Sequence, residues 1–248
     1  MFFYLAPPKA ILADINPDLI NFYMVLKNNT SSLVERLESL RASKALYYGM
    51  RKRTPGSRLE RAVRFAYLNR LCWNGLHRVN HKGDFNVPIG DRLPKKLWNP
   101  ALLYRAAKLL QNAKLLKADF ETTLLGLNRK DFSFIDPPYP RGAQEGLGFN
   151  RYTSDFFSFE DHRRLGRVLK TLDRRGVSLM VTVAPCQEIL ELYPEFRRTR
   201  LRSKSLISCE STSRRIADEI VLTNYPVKDS AHHNSCDSRS TVTLSESA

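Results

Sequence analysis

The feature that most constrains this chain is a short apolar run, Phe132-Ser133-Phe134-Ile135, that stops at Asp136-Pro137-Pro138-Tyr139. A run of that length bounded by turn residues reads as a buried strand. In open α/β sheets ligands bind outside the carboxyl ends of the strands. The run therefore predicts a carboxylate, two stiff prolines and an aromatic ring at a ligand-binding edge. These four residues suit one task, gripping a planar amino group on a flat ring. The carboxylate accepts hydrogen bonds from the amine. The prolines fix φ and carry no N–H, so the backbone is rigid and its carbonyls are free to accept. The tyrosine offers a π-face for stacking. DPP alone occurs in many turns; DPPY directly after such a strand, in a basic chain, points to function.

Other strands follow the same βα pattern. Lys9 to Ile15 reads as a strand ending in Asp14, and Asn16 then caps a helix that starts at Pro17. A second amphipathic helix carries Leu33, Leu37 and Leu40. Ala113 to Lys117 reads as a strand leading to Asp119-Phe120. Ser158 to Asp161 approximates a capping box for a helix ending near Arg175-Gly176. Val177 to Val183 reads as a buried strand, Gln187 to Leu192 as a short helix, and Phe196 to Leu201 and Ala217 to Thr223 as a closing strand pair. Between residues 46 and 109 the pattern changes. Arg51-Lys52-Arg53-Thr54-Pro55-Gly56 reads as a basic loop, Ser57 to Leu71 as a helix, Trp73 to Asp91 as a hairpin or loop, and Asn99-Pro100 as a helix start. The expected organisation is an α/β domain from residues 1–45 and 110–226, a mostly helical basic insertion over 46–109, and a disordered Ser- and Asp-rich tail over 227–248.

Charge narrows the partners. Lys and Arg number 40 against 25 Asp and Glu, a formal net charge of +15. Such an imbalance suits a polyanion. No apolar run is long enough to span a bilayer, so no membrane partner is expected. The four cysteines, Cys72, Cys186, Cys209 and Cys236, form no CxxC pair, which fits a reduced intracellular protein without structural zinc. His232, His233 and Cys236 could make only a weak metal site, so no metal is expected.

Each remaining candidate has a plainer reading beside it. Asp14 at a strand end could hold ribose hydroxyls, or simply complement the dipole of the next helix. Asp119-Phe120 alone reads as a capping aspartate beside a core phenylalanine, though the pair could also bind and pack on an adenine ring. In Trp73-Asn74-Gly75-Leu76-His77-Arg78 the amide and guanidinium could read base edges and the indole could wedge between bases. The alternative is a core Trp73 with solvated charges around it. Gly146-Leu147-Gly148 follows no strand and is discounted as a phosphate loop.

Taken together, these stretches resemble the Dam-type DNA N6-adenine methyltransferases, the D12 class with α-group motif order. The likeness is carried by Ala13-Asp14-Ile15-Asn16-Pro17-Asp18, by Trp73-Asn74-Gly75-Leu76 through Gly83-Asp84-Phe85-Asn86-Val87-Pro88, by Asp136-Pro137-Pro138-Tyr139, and by Glu219-Ile220-Val221-Leu222-Thr223-Asn224-Tyr225. The resemblance implies a Rossmann-like S-adenosylmethionine-dependent sheet with an inserted DNA-recognition domain. It implies that Asp14, Asp119 and Phe120 hold S-adenosylmethionine, and that Asp136, Pro137, Pro138 and Tyr139 act on a flipped adenine. Trp73, Asn74, Leu76 and Arg78 would contact double-stranded DNA at a GATC-like site. A monomer is expected, in the cytoplasm, of bacterial or phage origin and associated with the nucleoid.

The resemblance also implies a Phe-x-Gly-x-Gly loop on a first strand. Here the first glycine is Gly49, so Met1-Phe2-Phe3-Tyr4-Leu5 would follow that loop. The expectation is therefore a sheet short of its central strand and weakened binding of the methyl donor. A catalytically inactive DNA-binding remnant is the alternative reading.

Overall fold

The computed structural model describes residues 1–80, 82–139, 157–204, 216–227 and 241–242. The architecture is mixed α/β, with helices around two small sheets. The described residues form two compact units, one up to Phe120 and one from Glu121 onward.

In the first unit β1 (Ala10–Asp14) pairs in parallel with β2 (Ala113–Lys117), with Asp14 opposite Lys117. α1 (Phe2–Leu5) precedes β1. The Asn16 side chain accepts from the N–H groups of Asp18 and Leu19 and so caps α2 (Pro17–Asn28), with Pro17 in its first turn. α3 (Thr30–Glu38), α4 (Lys44–Lys52), α5 (Arg58–Leu71) and α6 (Pro100–Leu110) complete the layer. Their apolar stripes meet in one core containing Leu33, Leu37, Tyr47, Val63, Tyr67 and Leu110, all fully buried. The expected loop over residues 51–56 begins later than the sequence suggests. Ser43 caps α4 and burial of Tyr47 and Met50 extends it, so Arg51 and Lys52 are helical.

The second unit begins within α7 (Phe120–Leu124) and holds a sheet of order β3-β4-β6-β5-β7. β3 (Phe132–Ile135) runs parallel to β4 (Ser178–Val183), and β6 (Ile216–Thr223) runs antiparallel to both β4 and β5 (Arg197–Lys204). β7 (Thr241–Val242) pairs with β5. The expectation of a buried β3 does not hold. It is an edge strand with a single described neighbour, and Phe132 and Phe134 are 46% and 38% exposed. α8 (Phe159–Arg174) begins with the predicted capping box of Ser158 and Asp161 and buries Leu165, Val168, Leu169 and Leu172. α9 (Gln187–Leu190) follows β4. Asn224 fastens this unit: its amide donates to Asp173 and to the Val177 carbonyl, and its oxygen accepts from the Leu179 N–H. No described helix is long and apolar enough to cross a membrane.

Candidate active site

Asp136 follows β3 directly, level with Thr182 of β4, because Ile135 pairs with Val181. The Thr182 hydroxyl donates to Asp136 Oδ1 at 2.6 Å. Surrounding protein raises the proton affinity of Asp136, the Thr182 hydrogen bond opposes that shift, and the charge of Glu219 adds to it. The residue still reaches solvent. It is therefore an oriented carboxylate at an accessible strand end. Pro137 is buried and Pro138 half-buried, which fixes the turn.

Tyr139 is anchored as well. Its phenol donates to Glu219 Oε1 at 2.7 Å, across from the neighbouring region of β6. Burial first, then Glu219, holds the phenol protonated far above its usual range. The ring thus has its hydroxyl tied and its body half-buried. Behind the turn lies His162 of α8, 1% exposed and set edge-on to Phe157 at 4.8 Å. Burial lowers its proton affinity, against the opposing effect of the Pro138 carbonyl. The buried ring packs under the turn.

Sequence reasoning passed over Thr182, Glu219 and His162. Glu219 lay within a stretch already singled out, but the pairing with Tyr139 depends on β6 lying beside β4, which no local pattern encodes. Thr182 looked like an ordinary strand residue.

In the first unit, Asp14 and Asp119-Phe120 come together at one edge. Asp14 ends β1, the Ala118 N–H donates to its carbonyl, and Asp119 follows. Asp14 Oδ1 also accepts from the Asn16 N–H at 2.7 Å, steadying the carboxylate. Phe120 opens α7.

The predicted hairpin after α5 is present as two antiparallel bridges, Cys72 with Ile89 and Val79 with Phe85. Asn74 is exposed in the left-handed region at φ 51°, and Gly83 supplies a turn at φ 82°. Trp73 and Leu76 pack partly against the core, and Arg78 Nε donates to Asn86 Oδ1 at 2.8 Å. The four candidates are therefore not alike: Asn74 is exposed, Arg78 is half-buried and bonded to Asn86, and Trp73 and Leu76 pack partly against the core.

Among the described residues no group of His, Cys, Asp and Glu could hold a metal. The His232-His233-Cys236 cluster and the Gly146-Leu147-Gly148 stretch lie outside the described residues. Cys72 is buried with its thiol pushed up to about 11 by burial, and both it and Cys186 are free thiols.

The model of the D12 class N6 adenine-specific DNA methyltransferase family matches residues 1–207. This chain belongs to that family. A type II methyltransferase of Lactococcus lactis subsp. cremoris, M1.LlaDCHI, is 35% identical over 235 residues, which are 91% of this chain and 82% of that protein. The type II methyltransferase M.MjaIII of Methanocaldococcus jannaschii is 34% identical, over 88% of this chain and 80% of its own length. The DNA adenine methylase of Escherichia coli K12 is 30% identical, over 86% and 78%. D12 methyltransferases act on adenine in DNA, and as methyltransferases they imply S-adenosylmethionine as donor in general.

Proposed function

We propose that this D12 methyltransferase moves a methyl group from S-adenosylmethionine to N6 of an adenine flipped out of duplex DNA, at a GATC-like site. One observation supports the reading most: Asp136 and Tyr139, at the carboxyl end of β3, are each held by a short hydrogen bond from a neighbouring strand region.

Adenine N6 is a poor nucleophile because its lone pair is delocalised into the ring. Asp136 and the Pro137 carbonyl accept from the amine, favour its rehybridisation and stabilise positive charge as it develops. The amine nitrogen would bond the methyl carbon as the donor's carbon–sulfur bond breaks, the sulfur keeping the electron pair, and would release one proton to solvent. Tyr139 stacks on the flipped base and offsets part of the few kcal/mol that flipping costs. Bound S-adenosylmethionine supplies an electrophilic sulfonium methyl. Asp14, Asp119 and Phe120 fit its nucleoside end: two carboxylates and a ring share one strand-end edge. Residues 46–109 form the target-recognition part, with Asn74 and Arg78 at base edges, between the catalytic segments 1–45 and 110–226. A monomer carries all these parts.

The test supplies S-adenosylmethionine with a labelled methyl and duplexes with or without GATC. Label is expected on adenine N6 of the first duplex alone. Label on another base, or equal labelling of both duplexes, overturns the reading.

A further inference from the structure

The turn that follows β3 is stiff at nearly every joint. The rings of Pro137 and Pro138 fix φ at both residues. A proline also holds the residue before it in the extended region, which restricts ψ of Asp136 and of Pro137. Between Asp136 and the Tyr139 N–H the least restrained dihedral is therefore ψ of Pro138. That angle aims the Pro138 carbonyl and the chain that leads into Tyr139.

His162 faces that joint from a rigid base. It stands near the start of α8, where its backbone N–H donates to the Ser158 carbonyl at 3.2 Å and the capping box of Ser158 and Asp161 fixes the first turn. Leu165 and Leu169 bury the same helix. Burial lowers the proton affinity of the ring, and the nearby Pro138 carbonyl raises it. Yet the two are not aligned as a bond: neither Nδ1 nor Nε2 of His162 makes a hydrogen bond among the described residues. An imidazole carries at least one N–H in either charge state. A donor that is 1% exposed is thus left unpaired beneath the turn, which destabilises a fold. An apolar ring would fill the same space beside Phe157 without that penalty.

We propose that His162 is a positioning residue for methyl transfer: as the target adenine is gripped, its ring N–H donates to the Pro138 carbonyl and sets ψ of Pro138. This role rests on adenine being the base held by Asp136 and Tyr139. Bonds of this kind are often misaligned before substrate arrives and tighten in its complex. Tyr139 is then held at both ends, by Glu219 at its phenol and by the fixed Pro138 peptide at its backbone. The Pro137 carbonyl, one residue earlier, keeps its aim at the amine. His162 is buried, so it acts through the backbone and not on the base itself.

The test compares kcat, duplex KM and melting temperature of the full chain with those of His162→Phe, His162→Met and His162→Gln, using S-adenosylmethionine and a GATC duplex. The two apolar variants keep the packing and lose the donor. Each is expected to lower kcat about tenfold, the worth of one hydrogen bond, with duplex KM and melting temperature close to wild type. The glutamine amide can donate and is expected to restore most of kcat. Wild-type kcat in an apolar variant, or an equal loss in the glutamine variant, overturns the role. A second measurement needs no folded apolar variant. In wild-type chain with nitrogen-15-labelled histidine, the ring signal missing from His162→Gln is expected to shift when a methylated-site duplex is added and to stay in place with a duplex that is not a substrate. An unmoved signal overturns the role. A wild-type chain that methylates no adenine overturns the adenine reading, and the role of His162 with it.

Discussion

The Thr182 hydroxyl donates to Asp136 Oδ1 at 2.6 Å, and that bond opposes the other influences on this carboxylate. Burial and Glu219 raise the proton affinity of Asp136; Thr182 lowers it. Asp136 must be ionised to accept from an amine, so activity is lost as pH falls through its pKa. Thr182→Val is expected to move the acid limb of kcat/KM to higher pH and to lower the plateau about tenfold, the worth of one hydrogen bond. Glu219→Gln removes the neighbouring charge and is expected to move the same limb to lower pH. Shifts in the same direction, read from pH–rate profiles, would contradict this account of the carboxylate.

Tyr139 combines an anchored hydroxyl with a stacking ring, and the two can be separated. Tyr139→Phe keeps the face and loses the bond to Glu219, so a loss of a few-fold is expected. Tyr139→Ala loses the face, worth about 1–3 kcal/mol per stacked base. A duplex with 2-aminopurine at the target position reports flipping by fluorescence. The phenylalanine variant should retain the signal and the alanine variant should lose most of it.

The hairpin residues should divide by role. Asn74 is exposed, so Asn74→Ala should weaken discrimination of the DNA site with little change in thermal stability. Arg78→Ala should cost about 1–3 kcal/mol of discrimination. Trp73 packs on the core, so Trp73→Ala should lower the melting temperature as well as binding. Melting curves beside competition binding on altered sites check all three.

Ser158 accepts from the Asp161 N–H at the start of α8, and Asp161 accepts from the Ser158 N–H in return. Ser158→Ala should cost about 1 kcal/mol of stability. Chemical denaturation should show a lower midpoint at unchanged slope.

Most elements were legible because their signals are local. Asn16-Pro17 marks the start of α2, and Ser158 with Asp161 marks that of α8. Alternating burial along Ser178–Val183 matches a strand that reads as apolar. The exposure of Phe132 and Phe134 was not legible, since composition shows an apolar strand but not how many neighbours it has. Asp136 and Tyr139 stood out through residue type. Their holders, Thr182 and Glu219, lie 46 and 80 residues further along the chain, and only the sheet order brings them in.

The most direct test of the central claim compares wild-type chain with Asp136→Asn. Both receive S-adenosylmethionine and a GATC duplex, and N6-methyladenine is measured by mass spectrometry alongside DNA affinity. The asparagine keeps the shape but removes the ionised acceptor. Its rate should fall about 10²–10³-fold, as for loss of one charge-stabilising group, while DNA affinity holds. A variant that methylates adenine N6 at the wild-type rate would contradict the account.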